Sequence, residues 1–328
     1  MTEFSFTPDA EQARIGDRKM RQGLADSLAY VVEEIDGAIA FDRSSIETNI
    51  ARMRDGARFA PSAFGHYYLA VQAIADENFA HVSYHLDAIG RQQPLSDEME
   101  IVELSEAALG KDAEIYTTLL GAEDSSSLRF LAPPKPVAEQ FASRFRNGMA
   151  LLDRAAPTLA EEVRVLVSQM VMAVGDKSFA YEFDGASVYS LWGALFLNAE
   201  SHVTPLAMAE AIAHEAGHSL LFGMSVDEPL VRNPDDALYP SPLRVDLRPM
   251  DGIYHATFVS SRMHWAMQTL IDSGQLDDEQ RVAAAEARDG DTRNFWAGYK
   301  TVAEFGDLTL TGRSIMTAAH AYMASVAA

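Results

Sequence analysis

The first half of the chain places apolar residues at helical spacing. Between Asp9 and Ala40, for example, Leu24, Leu28 and Val32 recur every four residues and so fall on one face of a helix. The same period is present in several later segments of this half. Helices are therefore predicted over residues 9–40, 45–59, 67–89, 96–109, 137–152 and 159–174.

The pattern changes after Gly175. Residues 177–197 are rich in aromatic and β-branched side chains around a central Asp184-Gly185 pair, which predicts a β-hairpin with strands over residues 179–183 and 188–192. Helical spacing returns later and predicts helices over residues 206–222 and 252–271, with a proline-rich loop over residues 227–249 between them. The predicted fold is mainly α (α+β). It consists of a helical region, residues 1–175, and a helix-rich region with a small hairpin or sheet, residues 176–328, and the two could also form one continuous fold.

Charge and composition narrow the classes of function. The 328 residues include 26 Lys and Arg against 48 Asp and Glu, a net charge of −22, which disfavours binding to nucleic acid or to an anionic membrane surface. The absence of cysteine excludes disulfides and thiolate ligands, so any metal must be held by histidine and carboxylate side chains. The first residues do not form a signal-peptide pattern, and no apolar run reaches the roughly 18 residues of a membrane span, so we expect a cytoplasmic protein.

The chemistry-bearing motif is His214-Glu215-Ala-Gly-His218, an HExxH pattern within the predicted helix 206–222. Residues four apart lie one above the other on a helix, so His214 and His218 can direct both imidazoles at one metal ion, with Glu215 beside them. The alternative is two ordinary helix histidines. The apolar surroundings of the motif favour the metal site, because partly buried histidines need partners.

A metal site of this kind needs a third protein ligand. The extended motif with a third histidine six residues on is absent, because Met224 occupies that position. His255, near the start of the next predicted helix, is the favoured candidate, and its alternative is a core histidine bonded to a backbone carbonyl. Asp251 and Glu228 are weaker candidates.

A second pair of histidines, His81 and His85, also has helical i, i+4 spacing. No glutamate follows the first histidine of this pair. Two histidines packed on a helix are therefore the favoured interpretation, and a second metal pair is the alternative.

The segment around the motif resembles a known family. The HExxH motif, the Tyr-Pro-Ser-Pro-Leu-Arg sequence of residues 239–244 and the Arg-Pro-x-x-Gly-x-x-His sequence of residues 248–255 together are similar to the HExxH-type peptide modification family. The resemblance covers roughly residues 200–265. Members of that family are described as iron(II)- and 2-oxoglutarate-dependent β-hydroxylases of ribosomally made peptides.

The resemblance implies His214, His218 and His255 as metal ligands, with a peptide, O₂ and 2-oxoglutarate as reactants. The peptide could carry a leader segment. Because arginine binds carboxylates bidentately, Arg248, then Arg262, then Arg244 are the candidates for the distal carboxylate of 2-oxoglutarate. Glu215 would orient a ligand or water. Apolar faces in the first half could also form a homodimer interface.

Two other functions stay open at this stage. In the first, the same helix binds Zn²⁺ and Glu215 is the general base of a metallopeptidase, which takes a proton from zinc-bound water. The full zinc-peptidase pattern would have a carboxylate ligand on a later helix, and the sequence does not identify one. In the second, the chain is a non-catalytic peptide-binding module that has kept the motif. The joint presence of all three motif residues weighs against this last interpretation.

Overall fold

A computed structural model describes residues 4–123, 129–178, 183–241 and 246–326. About 65% of the chain is helical and 8% is in strands, which confirms the mainly α prediction. None of the described helices combines the length and the apolar character needed to cross a membrane. The described residues form α1 (Ala10–Glu34), α2 (Arg43–Arg54), α3 (Ser62–Ala75), α4 (Phe79–Arg91), β1 (Glu100–Glu103), α5 (Glu106–Leu109), α6 (Asp112–Glu123), β2 (Phe130–Leu131), α7 (Lys135–Ala155), α8 (Pro157–Leu166), β3 (Gln169–Gly175), β4 (Gly185–Ala186), β5 (Ala194–Asn198), α9 (Pro205–Met224), β6 (Leu238–Tyr239), β7 (Arg248–Pro249), α10 (Met250–Asp272), α11 (Asp278–Phe305) and α12 (Leu310–Val326).

The chain divides into two compact units that interleave along the sequence. One, called here the sheet unit, consists of residues 14–143 and 164–201. The other, called the helical unit, consists of residues 1–13, 144–163 and 202–328. This division does not coincide with the boundary expected after residue 175, because residues 144–163 group with the C-terminal part of the chain.

The sheet unit is built on a small mixed sheet. Strands β1, β3 and β5 are parallel, and β4 pairs antiparallel with β5 at one edge. Six of the seven residues of β3 are buried, as expected for a central strand covered on both faces. The aromatic side chains of Tyr116, Phe130 and Phe196 belong to its core.

The structure corrects several predicted elements of this unit. The predicted helix 159–174 ends at Leu166, and β3 follows, because a continuous apolar run fits a buried strand as well as a buried helix. The predicted helix 96–109 contains β1 and only the short α5. The predicted helix 67–89 is divided between α3 and α4, with Glu77 at a positive φ of 54° between them.

The predicted hairpin is also wrong in its second strand. Residues 189–191 form a 3₁₀ helix, and β5 begins only after Gly193. Gly193 has a φ of +91°, and a Cβ there would lie 2.7 Å from the Ser168 hydroxyl, so this turn requires glycine. Of the predicted first strand, residues 179–182 lie outside the described residues.

In the helical unit, α9 and α11 both pack against α10. Helix α9 begins as the sequence predicts: the Thr204 side chain accepts a hydrogen bond from the Ala207 N–H, and Pro205 occupies the first helical position. The predicted helix 252–271 is confirmed as α10. These two helices carry the histidines of the predicted metal site.

Candidate metal centre

Helix α9 brings the two motif histidines together. The Nε2 atoms of His214 and His218 are 3.3 Å apart, and their ring centroids are 5.1 Å apart. Two nitrogens bonded to one tetrahedral ion at about 2.1 Å lie roughly 3.4 Å from each other. The pair therefore has the separation of two ligands of a shared metal ion.

Helix α10 adds His255 to this pair. Its Nδ1 lies 3.2 Å from Nδ1 of His218, and the two rings are stacked with centroids 5.4 Å apart. The Phe222 ring packs against His255, and an Asp251 carboxylate oxygen lies 3.9 Å from its Nε2. The three imidazoles thus form a row with His218 in the middle. Across the described ranges, no set of three or more histidine or carboxylate side chains is arranged to hold an ion jointly.

Burial favours the neutral form of His218 and His255. Desolvation lowers the pKa of His218 well below its ordinary value, and the neighbouring His214 and His255 lower it further. Desolvation also lowers the pKa of His255, although Asp251 opposes that effect. At neutral pH His218 and His255 are therefore uncharged, and each has a nitrogen lone pair, which metal binding requires.

Glu215 lies beside the first histidine. Its side chain is buried, with 5% of the residue exposed, and its Oε1 is 3.9 Å from Nε2 of His214. A carboxylate in this position can accept a hydrogen bond from a water molecule next to the histidines. The sequence predicts this arrangement, and the structure brings the three motif residues together.

Met263 is a neighbour that the sequence did not identify. Its sulfur lies 3.1 Å from Nδ1 of His214, the ring nitrogen that faces away from His218. Met263 is eight residues after His255 on α10, and this spacing puts both on the side of the helix that faces α9. Helical spacing alone is a weak signal, because methionine is usually a core residue.

The candidate arginines have different surroundings. Arg248 is half-buried in β7, directly before α10 and seven residues before His255. Arg262 is buried in an ion pair with Glu162, and it also donates a 2.6 Å hydrogen bond to the Phe6 carbonyl. Arg244 lies outside the described residues. We therefore leave Arg262 out of the proposed cofactor site, because its guanidinium is already held by structural partners.

The weaker ligand candidate Glu228 is also engaged elsewhere. Its Oε1 accepts a 2.9 Å hydrogen bond from the Thr311 N–H. The Thr311 hydroxyl and then this backbone N–H lower the pKa of Glu228. His264, which follows His255 on the same helix, is hydrogen-bonded through Nδ1 to the Tyr322 hydroxyl at 2.8 Å. Both side chains act in the packing of the helical unit.

The second histidine pair lies in the sheet unit. His85 is hydrogen-bonded to His66, with the two Nδ1 atoms 2.9 Å apart, while its ring meets that of His81 edge to face at a centroid distance of 6.4 Å. His66 in turn contacts Asp112 through Nε2 at 3.2 Å. Desolvation, with the neighbouring His66 and His81, lowers the pKa of His85 to about 4. Only one member of the predicted pair is therefore packed: His85 is buried in a hydrogen-bond network with His66 and Asp112, and His81 is exposed.

Comparison with protein families and with curated proteins adds no relative. No protein-family model matches this chain, and no curated protein matches it.

Proposed function

We propose that this chain is an iron(II)- and 2-oxoglutarate-dependent oxygenase that hydroxylates the β-carbon of a residue in a ribosomally made peptide. The observation that carries the metal part of this proposal is the 3.3 Å separation of the His214 and His218 Nε2 atoms. The resemblance of residues 200–265 to the peptide modification family supports the choice of reaction.

The donors present suit iron(II). His214 and His218 would hold the ion through Nε2. The resemblance names His255 as the third nitrogen donor; in this structure its Nδ1 contacts Nδ1 of His218, so its ring would have to turn towards the Nε2 pair to bind the same ion. Imidazole is a common ligand of non-haem iron(II), and three protein ligands leave positions free for 2-oxoglutarate and O₂. When bound, the iron(II) ion would supply, with 2-oxoglutarate and O₂, the oxidation of an unactivated C–H bond, and succinate and CO₂ would be the co-products.

The remaining residues of the site would bind 2-oxoglutarate and orient water or a ligand. Arg248 would hold the distal carboxylate of 2-oxoglutarate through a bidentate ion pair, since its backbone is fixed in β7 by pairing with Tyr239. Glu215 would accept a hydrogen bond from water or from a bound ligand at its buried Oε1, 3.9 Å from the His214 ring. Phe222, packed on His255, would limit the access of water on that side.

A zinc peptidase is the second candidate, and the position of Glu215 favours it. A metallopeptidase of this type needs a carboxylate beside the metal to take a proton from the attacking water. The buried Oε1 of Glu215 next to His214 has that placement. In this function His255 would complete the same three-histidine ligand set.

Two assays on the full-length chain separate these functions. In the first, anaerobic protein loaded with iron(II) receives 2-oxoglutarate and then air. We expect the visible charge-transfer band of a chelated 2-oxo acid and then succinate, and both should be lost in His214→Ala and reduced in Arg248→Ala. In the second assay, the zinc-loaded chain is incubated with a quenched fluorescent peptide library, and no cleavage is expected.

Other results would contradict the hydroxylase. Cleavage of the library that depends on Glu215, without formation of succinate, would support the peptidase. A chain that forms no succinate and cleaves no peptide, in either metal form, would support the non-catalytic module. A peptide encoded beside this gene would be the next substrate to test, with a mass increase of one oxygen expected.

A further inference from the structure

The ring of His214 lies between a nitrogen and a sulfur atom. On one side its Nε2 is 3.3 Å from Nε2 of His218, and on the other its Nδ1 is 3.1 Å from the sulfur of Met263. Met263 belongs to α10, the helix that also carries His255, and its side chain is half-buried. A contact this short between nitrogen and sulfur is that of a hydrogen-bonded pair rather than of loose packing.

The chemistry of the two atoms determines where the proton of the ring lies. A neutral imidazole carries one N–H, and a thioether sulfur has no proton to donate. The Nδ1···Sδ contact is attractive only if His214 is protonated at Nδ1. The other tautomer would direct a nitrogen lone pair at the lone pairs of sulfur.

We propose that Met263 is a positioning residue for metal binding by His214. By accepting the Nδ1–H, its sulfur holds the tautomer in which the Nε2 lone pair is free for the metal ion. This inference rests on the proposed function, since it takes Nε2 of His214 as a ligand. Ligand histidines usually donate their second N–H to a carboxylate or a carbonyl.

The thioether of Met263 is a weaker hydrogen-bond acceptor than a carboxylate or a carbonyl. A strong acceptor on the outer nitrogen increases the basicity of the ligand nitrogen. Met263 therefore fixes the orientation and the tautomer of His214 while adding little negative charge to the ring. A stronger acceptor at the same position should bind the metal more tightly.

Three substitutions separate this role from simple packing. Met263→Leu keeps a similar apolar volume and removes the acceptor, a change that cores tolerate well. Met263→Gln restores an acceptor on a side chain of similar length. Met267→Leu is the matched control, because Met267 is a fully buried methionine one turn further along α10.

The probe is Co²⁺, which has visible absorption bands and binds imidazole. Metal-free full-length chain is titrated with Co²⁺ in competition with a chromophoric chelator. Long-range ¹H–¹⁵N spectra of the metal-free chain report the His214 tautomer, and thermal unfolding reports folding. We expect Met263→Leu to weaken Co²⁺ binding about tenfold and to mix the tautomers. Met263→Gln should bind at least as tightly as wild type, and Met267→Leu should be unchanged.

Two results would overturn the inference. One is wild-type affinity in Met263→Leu with an unchanged His214 tautomer, and the other is an equal loss of affinity in Met267→Leu. Either result leaves the proposed function standing, provided that the wild-type chain binds Co²⁺. If the wild-type chain binds none, the proposed metal site and this inference both fail.

Discussion

At the scale of single residues, burial and partners decide what a charged side chain can do. Arg262 has the position of a cofactor-binding residue in the sequence, two turns beyond His255. In the structure it is 2% exposed and paired with Glu162, which is fully buried and also accepts a 2.9 Å hydrogen bond from the Asp9 N–H. Desolvation lowers the pKa of Arg262 and raises that of Glu162, and each charge opposes the shift of the other.

We therefore predict that Arg262→Met destabilises the fold. Removal of one partner leaves an uncompensated charge in the interior, which costs about 3–5 kcal/mol of unfolding free energy in comparable pairs. Urea unfolding measures this loss. The double variant Glu162→Gln with Arg262→Met should recover a large part of the lost stability. An Arg262→Met chain that keeps its stability but loses affinity for 2-oxoglutarate would return Arg262 to the cofactor site.

Asp291 is a buried acidic side chain, and it gives a pH-dependent prediction. Burial, with the nearby carboxylate of Glu210, raises the pKa of Asp291 to about 8, and one of its carboxylate oxygens has no hydrogen-bond partner among the described residues. The native state therefore holds this proton more tightly than the unfolded chain, where the pKa of aspartate is about 3.9. The stabilising effect of the proton is complete below pH 4 and is lost as the pH rises towards 8.

Asp291→Asn removes this titration and keeps the shape of the side chain. Relative to the variant, the wild type should lose up to about 1.4 kcal/mol of unfolding free energy for each pH unit between pH 5 and 8. Urea unfolding of both chains at pH 5.5 and pH 8 measures the difference. A stability difference that does not change between these pH values would show that Asp291 is not protonated in the native state.

At the scale of elements, the site depends on the close approach of α9 and α10. Gly217, inside the HExxH motif, faces Val259: a Cβ on Gly217 would lie 3.2 Å from a methyl carbon of that valine. The absence of a side chain there lets the two helices pack closely one residue before His218. This approach brings His218 into contact with His255.

We predict that Gly217→Val separates the two helices and weakens metal binding by about tenfold or more, because His255 and Met263 move away from the motif histidines. Titration with Co²⁺ measures the affinity. The matched control is Gly252→Val in the first turn of α10, where a Cβ would meet nothing within 4 Å. Equal effects of the two substitutions would show that the introduction of a β-branched side chain into a helix, rather than the spacing of the two helices, causes the change.

The helices of the site could be predicted because their signals are local. Thr204-Pro205 marks the start of α9, and helical spacing continues through His214 and His218. The strands of the sheet unit could not be predicted in the same way, because the apolar run of β3 carries no period that separates a strand from a helix. The roles of Met263 and Glu162 could not be predicted for a related reason, because both depend on contacts between distant positions. Met263 lies 49 positions from its partner His214, and Glu162 lies 100 positions from its partner Arg262.

At the scale of the whole molecule, the chain folds into two compact units, and all the described parts of the candidate metal centre lie in the helical unit. That unit is assembled from three separate stretches of sequence, so the composition change after Gly175 does not mark its boundary. The histidine network of the sheet unit, by contrast, is satisfied internally by Asp112 and Ser62. The proposed metal ligands therefore all come from α9 and α10 of the helical unit.

The proposed metal site is tested most directly by the metal content of the full-length chain. Metal-free protein is reconstituted anaerobically with iron(II), desalted and analysed for bound iron by mass spectrometry. The proposed metal site predicts about one ion per chain for the wild type and for the control His81→Ala, whose exposed histidine lies in the sheet unit. It also predicts loss of the ion in His214→Ala and His218→Ala. A wild-type chain that retains no ion, or a His214→Ala chain that retains as much as the wild type, would contradict it.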